Sequence, residues 1–236
     1  MDITFSIDYK LKLVESHTTI KTLIIEELEK KIRPRLQKIK NIIDAELKTI
    51  FHNAIVNSPE YKSLKGEKNM AGDESLMGHF GFDDGGNKVD TIVNKWIEGL
   101  HSQIFLMKSS GKLSAGVQIY GISASYADVL GMPEAQQSIG KSREIGGMAS
   151  LPWLNILLLD GTKAVLITDH TITFHANKLN FSRSKQAIMV KSKTKRWFIP
   201  EPFAGTASDN WILRVLEQDI YPKMDSFIKD AILRVF

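Results

Sequence analysis

The sequence predicts an α+β fold: a small antiparallel β-sheet packed with long N-terminal and C-terminal amphipathic helices, in a single domain over residues 1–236. Three observations carry this expectation. The first residues alternate between apolar and polar. Two long stretches, one toward each end, repeat their apolar residues every three or four positions. Between them, strand-like segments mostly follow one another, which favours α+β over repeated βαβ units.

Ile3, Phe5, Ile7, Tyr9, Leu11 and Leu13 alternate with mostly polar neighbours, the pattern of a strand with one buried face. His17-Thr18-Thr19 changes the register. From Ile20 the apolar positions run Leu23, Ile24, Leu28, Ile32, Leu36, Ile39, Ile43, Leu47, Ile50 and Phe51. These steps predict an amphipathic helix of about 30 residues, which Pro34 is expected to kink or split in two. Glu26, Glu27 and Glu29 near its start partly match the helix dipole.

Ser58-Pro59, Gly66, Gly72, Gly81 and Asp83-Asp84-Gly85-Gly86 mark 58–89 as the main mobile loop, with a short ordered stretch at Leu76–Phe82. Val89, Ile92, Val93, Trp96, Ile97 and Leu100 describe a second helix. Ile104–Met107 and Val117–Tyr120 read as strands joined through Ser109-Ser110-Gly111-Lys112. Residues 131–147, opening on Gly131-Met132-Pro133, form a second mobile loop. Leu151 to Gly161 predicts a short buried helix, with Pro152 in its first turn and Gly161 as its C-terminal cap. Ala164–Ile167, Thr171–Phe174, Ala187–Val190 and Arg196–Ile199 complete the sheet. Ser208 or Asp209 caps the last helix, whose apolar face runs from Trp211 and Ile212 to Ile232 and Val235 with a bend at Pro222.

Hydrophobic residues make up 43% of the chain and charged residues 25%, which excludes the composition of a disordered protein. The chain has no cysteine, so neither disulfides nor thiolate metal sites can form. Met1-Asp2-Ile3-Thr4 lacks a basic region followed by an apolar run, so no signal peptide is expected, and no apolar run approaches the ~20 residues of a membrane span. The net charge of +4 is mild, but two segments concentrate it. Lys30, Lys31, Arg33, Arg35, Lys38 and Lys40 form one run without an acid, and Lys185, Lys191, Lys193, Lys195 and Arg196 form another. Such patches suit phosphate or an acidic partner surface, or serve as solvated faces.

No motif assembles catalytic chemistry. Ala135-Gln136-Gln137-Ser138-Ile139-Gly140-Lys141-Ser142 resembles a phosphate-binding loop with alanine in place of the first glycine. Such a loop needs a strand directly before it and a helix directly after, and Gly131-Met132-Pro133-Glu134 and Arg143-Glu144-Ile145-Gly146-Gly147 supply neither. His17, His52, His79 and His101 are scattered, and His170 and His175 would face opposite sides of one strand, so a metal site is not expected. Asp83-Asp84-Gly85-Gly86-Asn87 lacks the alternating acids and closing glutamate of an EF-hand. Trp96, Trp153 and Trp211 fall on apolar helical faces and read as core; Trp197, beside Lys195 and Arg196, reads as a core or interface anchor. No cofactor is expected.

The closing third of the chain carries a resemblance. Ser182-Arg183-Ser184-Lys185-Gln186-Ala187-Ile188-Met189 is followed by Trp197-Phe198-Ile199-Pro200, then Phe203-Ala204-Gly205-Thr206, then a helix opened by Asp209-Asn210-Trp211. This order resembles the closing segment of tailed-bacteriophage neck and tail-completion proteins. Leu151-Pro152-Trp153 through Gly161-Thr162 is similar to an aromatic segment ending in a glycine-led turn in that family. Pro200-Glu201-Pro202-Phe203 looks like its P-x-x-F element, and Glu74 to Gly81 more weakly resembles a glycine-phenylalanine segment of neck-like proteins in larger myophages. The resemblance implies a virion structural protein, made in the host cytoplasm and sited at the neck, that forms a homo-oligomeric ring of six or twelve subunits. Its partners would be portal, connector or tail proteins, with passing contact to DNA in the channel and none to membrane. The alternatives are a nucleic-acid-binding protein using segments 30–40 and 185–196, and an enzyme using the Gly140-Lys141-Ser142 loop.

Overall fold

The computed structural model describes residues 2–10, 18–67, 75–82, 86–109, 112–121, 126–138, 150–161, 170–173, 188–191 and 198–236. It shows an α+β architecture, with long helices toward both ends and small antiparallel sheets. The chain divides into two compact units.

The first unit comprises residues 1–51, 97–123 and 222–236. Its sheet holds β1 (Asp2–Lys10), β2 (His101–Ser109) and β3 (Lys112–Tyr120), all antiparallel neighbours in the order β1-β3-β2. The register sets Ile3, Phe5, Ile7 and Tyr9 opposite Ile119, Val117, Ala115 and Leu113, so the alternation read in β1 meets its counterpart in β3. Those four β3 residues are buried. The helix α1 (Thr18–Asn57) is 40 residues long and contributes its first 34 residues here. It buries Ile25, Ile32, Leu36, Ile39, Ile43, Leu47 and Phe51, each stabilising the fold by about 1.5–3 kcal/mol. Leu23, counted on that face from the sequence, is 59% exposed, and Ile25 takes the inward position. Pro34 does not split the helix. It lies on the exposed side, where the Lys30 carbonyl that loses its donor faces water.

Polar contacts fix α1 within this unit. Asp44 accepts the Ser102 backbone N–H at 3.1 Å and the Ser102 hydroxyl, and it pairs with Lys40. Burial alone would raise the Asp44 carboxyl, but these bonds hold it below the usual range. Lys108 reaches Glu29 from β2. The last helix, α8 (Tyr221–Leu233), buries Met224, Ile228 and Ala231. Beyond it, Arg234 meets Glu46 at 2.7 Å and the Phe236 ring lies 4.9 Å below the Arg35 guanidinium.

The second unit comprises residues 52–96 and 124–221. It holds α2 (Pro59–Leu64), α3 (Leu76–Phe80), most of α4 (Asn87–Glu98) and α5 (Ala127–Leu130). After them come the strand pair β4 (Gln137–Ser138) and β5 (Ser150–Leu151), then α6 (Trp153–Asn155), which continues as a π turn to Asp160. The strands β6 (His170–Thr173) and β7 (Ile188–Lys191) pair antiparallel as a separate sheet. The helix α7 (Trp211–Val215) ends the unit and runs into a second π turn at Leu216–Ile220. Pro222 has no N–H to give the Gln218 carbonyl, which accounts for a widened turn directly upstream.

Several expectations change here. Segment 58–89 is not a mobile loop in its described parts: Ser58 and Ser75 cap α2 and α3, while Leu64, Leu76, Phe80 and Phe82 are buried. In 131–147, the described residues form a 3-10 turn at Pro133–Ala135 and then β4, with Ala135 and Gln137 buried; 139–149 lie outside the described residues. Phe198 and Ile199 are not in a strand, and Ala164–Ile167 lie outside the described residues. The described strands fall in three separate sheets rather than one.

Candidate functional site

The residues that carry the family resemblance converge in the second unit. Gly161 donates its N–H to the Gly205 carbonyl at 3.2 Å. A Cβ on Gly205 would stand 2.3 Å from the Leu157 oxygen and 2.9 Å from the Leu158 oxygen; one on Gly161 would stand 2.7 Å from the Gly205 nitrogen. Gly161 stands at the C-terminal cap, as expected from the sequence, in a right-handed conformation. Its φ is −62°, open to any residue, and glycine is required because two backbones touch. Pro200 and Phe203 close a 3-10 turn through a 2.9 Å bond, and Phe203 is buried.

Asn210, fully buried, opens α7. Its Oδ1 accepts the Leu213 N–H at 3.2 Å and the Tyr126 hydroxyl at 3.0 Å, and its Nδ2 donates to the Thr206 carbonyl at 2.9 Å. The cap is thus Asn210, neither Ser208 nor Asp209, because this side chain alone satisfies both the helix end and the buried tyrosine. Arg214, one turn on, bonds Glu60 at 3.0 Å and Asp209 at 2.8 Å. Burial pushes the Glu60 carboxyl up, and Arg214 only partly offsets this. Trp211 donates to Ser58 Oγ at 2.8 Å, and its ring packs edge-on to Trp96 at 5.5 Å. Trp153, following Pro152, donates to the Glu134 carbonyl at 2.7 Å and packs on Phe80 and Phe82. This arrangement locks backbone segments together, and its charged groups face one another. Ser182 and Arg183 lie outside the described residues.

The basic run lies on α1, in the first unit. Structure divides it: Lys30 pairs with Glu27 at 3.6 Å, Arg33 with Glu29 at 2.7 Å, Lys40 with Asp44, and Arg35 covers Phe236. The sequence run contains no acid, but the helix sets acids three and four residues away beside its cations. Lys31 and Lys38 are exposed, with no acid pairing among the described residues. Lys48, absent from the sequence reading, is exposed on the same side; a helical projection extended past the run would have found it. Lys193, Lys195, Arg196 and Trp197 lie outside the described residues, as do Gly140-Lys141-Ser142 and Asp83-Asp84.

The described histidines do not converge. His52 is exposed, His101 stacks on Tyr120 at 5.1 Å, and His79 is buried, which pushes its pKa down to about 4 and keeps it neutral. Among the described residues, no group of three or more His, Cys, Asp or Glu is placed to hold a metal ion. None of the described helices is long and apolar enough to cross a membrane. The chain matches no family model, no curated protein and no solved structure.

Proposed function

We propose that this chain is a non-enzymatic virion structural protein of a tailed phage, a neck or head–tail connector subunit that assembles as a ring between portal and tail. The observation that carries this reading is the packing at Gly161 and Gly205. Residues 44 positions apart, drawn from the two segments that resemble the neck family, meet backbone to backbone and seat Phe203 and Asn210 around them. The resembling residues thus work as one structural unit, which supports a shared architecture over a chance likeness of short motifs. A ring needs two different faces of a subunit to meet. Exposed apolar residues such as Leu23 and Met107 in the first unit and Phe198 in the second offer surface for such contacts.

Negative-stain imaging of the protein, alone and mixed with candidate portal and tail proteins, tests this. Rings or stacked complexes are expected; isolated small particles under both conditions would overturn the proposal. A second reading, nucleic-acid binding, is favoured by one specific observation: the exposed lysines of α1.

A further inference from the structure

The outward face of α1 carries three lysines that no acid pairs among the described residues. The buried stripe runs through Ile32, Leu36, Ile39, Ile43 and Leu47, while Lys31, Lys38 and Lys48 stand on the exposed side. At 3.6 residues per turn, Lys38 lies about 20° round the helix from Lys31, and Lys48 about 80° further in the same sense. The three together span about 25 Å at 1.5 Å per residue.

Of the acids on the same helix, Glu27 lies one turn before Lys31 and about 40° round from it, and every acid but Glu26 has a partner. Glu27 pairs with Lys30, and Glu29 is shared by Arg33 and Lys108. Asp44 is held by Lys40 and Ser102, and Glu46 by Arg234. The remaining acid, Glu26, precedes the stripe and lies about 140° round the helix from Lys31. Every acid level with the lysines therefore has a partner inside its own unit, and the lysine charge is left facing water.

We infer that this face of α1 tracks the phosphate backbone of a nucleic-acid duplex without reading its sequence. Lysine is a point-charge donor to phosphate. Three of them strung along a rod, with no aromatic residue between them to stack on a base, match a line of phosphates rather than exposed bases. An acidic protein surface fits less well, since protein interface cores are poor in lysine and rich in aromatic anchors. The inference stands apart from the connector reading. A duplex threading a ring and a duplex bound by a single subunit would meet the same face.

Fluorescence anisotropy with a labelled DNA duplex of mixed sequence, titrated at several salt concentrations, tests it. The triple variant Lys31→Gln, Lys38→Gln, Lys48→Gln should bind at least tenfold more weakly. Its slope of log K against log salt should be shallower by about 2.7, three phosphate contacts at about 0.9 each. The corresponding lysine-to-arginine triple should keep both affinity and slope. A control pair, Lys223→Gln with Lys229→Gln on the exposed side of α8, should keep them too. The inference is overturned if the unaltered protein ignores DNA at low salt, if the glutamine triple retains full affinity and slope, or if the control pair loses as much as the triple.

Discussion

Replacing Gly205 with alanine puts a methyl carbon where two carbonyl oxygens already stand. The new Cβ would lie 2.3 Å from the Leu157 oxygen, 2.9 Å from the Leu158 oxygen and 3.0 Å from the Asn210 Cβ. Backbone oxygens cannot rotate aside as a side chain does, so the 204–206 segment must retreat from the π turn. Overpacking of this kind costs about 1–3 kcal/mol. The retreat also breaks the 3.2 Å bond from Gly161, worth about 1 kcal/mol. Alanine restricts the unfolded chain and returns about 1 kcal/mol, which leaves a net loss of about 1–3 kcal/mol. For a chain of this length that lowers Tm by about 2–12 °C. Gly131→Ala is the matched control. Its φ is −80°, and the new methyl would meet only the Ala127 oxygen at 3.7 Å, so it should be neutral or stabilising by about 0.4–1 kcal/mol. Urea unfolding followed by tryptophan fluorescence reads both, because Trp96, Trp153 and Trp211 are buried in the same unit. A Gly205→Ala protein as stable as the parent, or less harmed than Gly131→Ala, would refute the close-approach argument.

Asn210→Ala removes the α7 cap and leaves the Tyr126 hydroxyl buried without its acceptor, so a loss of about 2–4 kcal/mol is expected by the same urea assay. A loss below about 1 kcal/mol would show the network to be dispensable. His79 is held neutral by burial, with its pKa down from 6.5 to about 4. Between those values the unfolded chain binds the extra proton, so stability should fall as pH drops through that window, by about 3 kcal/mol in full. His79→Gln should remove that component, and an unchanged pH profile in the variant would contradict it. Glu60 works in the opposite sense. Burial raises its carboxyl above the usual value, so the folded state holds the proton longer and stability declines as pH rises past the unfolded pKa, levelling beyond the folded one. Glu60→Gln, which can still accept from Arg214, should flatten this decline when urea midpoints are compared across pH.

The helices that bury a single continuous stripe were legible from periodicity. All six apolar positions read in α4 and its C-terminal flank are buried, as are most of those read in α1. The short helices were not. Six residues in α2 and five in α3 are too few to show a period, and of the residues that suggested a loop, Ser58 and Pro59 open α2 and Gly81, left-handed at φ 69°, caps α3. The cap at Gly161 was legible, but its contact with Gly205 was not, because Gly205 is distant in sequence and no local pattern announces a backbone contact. The charge of the basic run was legible, and helical spacing gives the acids that pair with Lys30, Arg33 and Lys40, but the tie to β2 was not legible. Glu29 is shared with Lys108 from a strand about eighty residues away, a distance no helical spacing rule spans.

Native mass spectrometry of the full chain across a range of concentrations, alone and with portal and tail proteins, tests the proposed connector role most directly. The account predicts a closed oligomer of one stoichiometry, alone or on addition of a neighbour. A protein that stays monomeric at high concentration with every candidate neighbour present would contradict it.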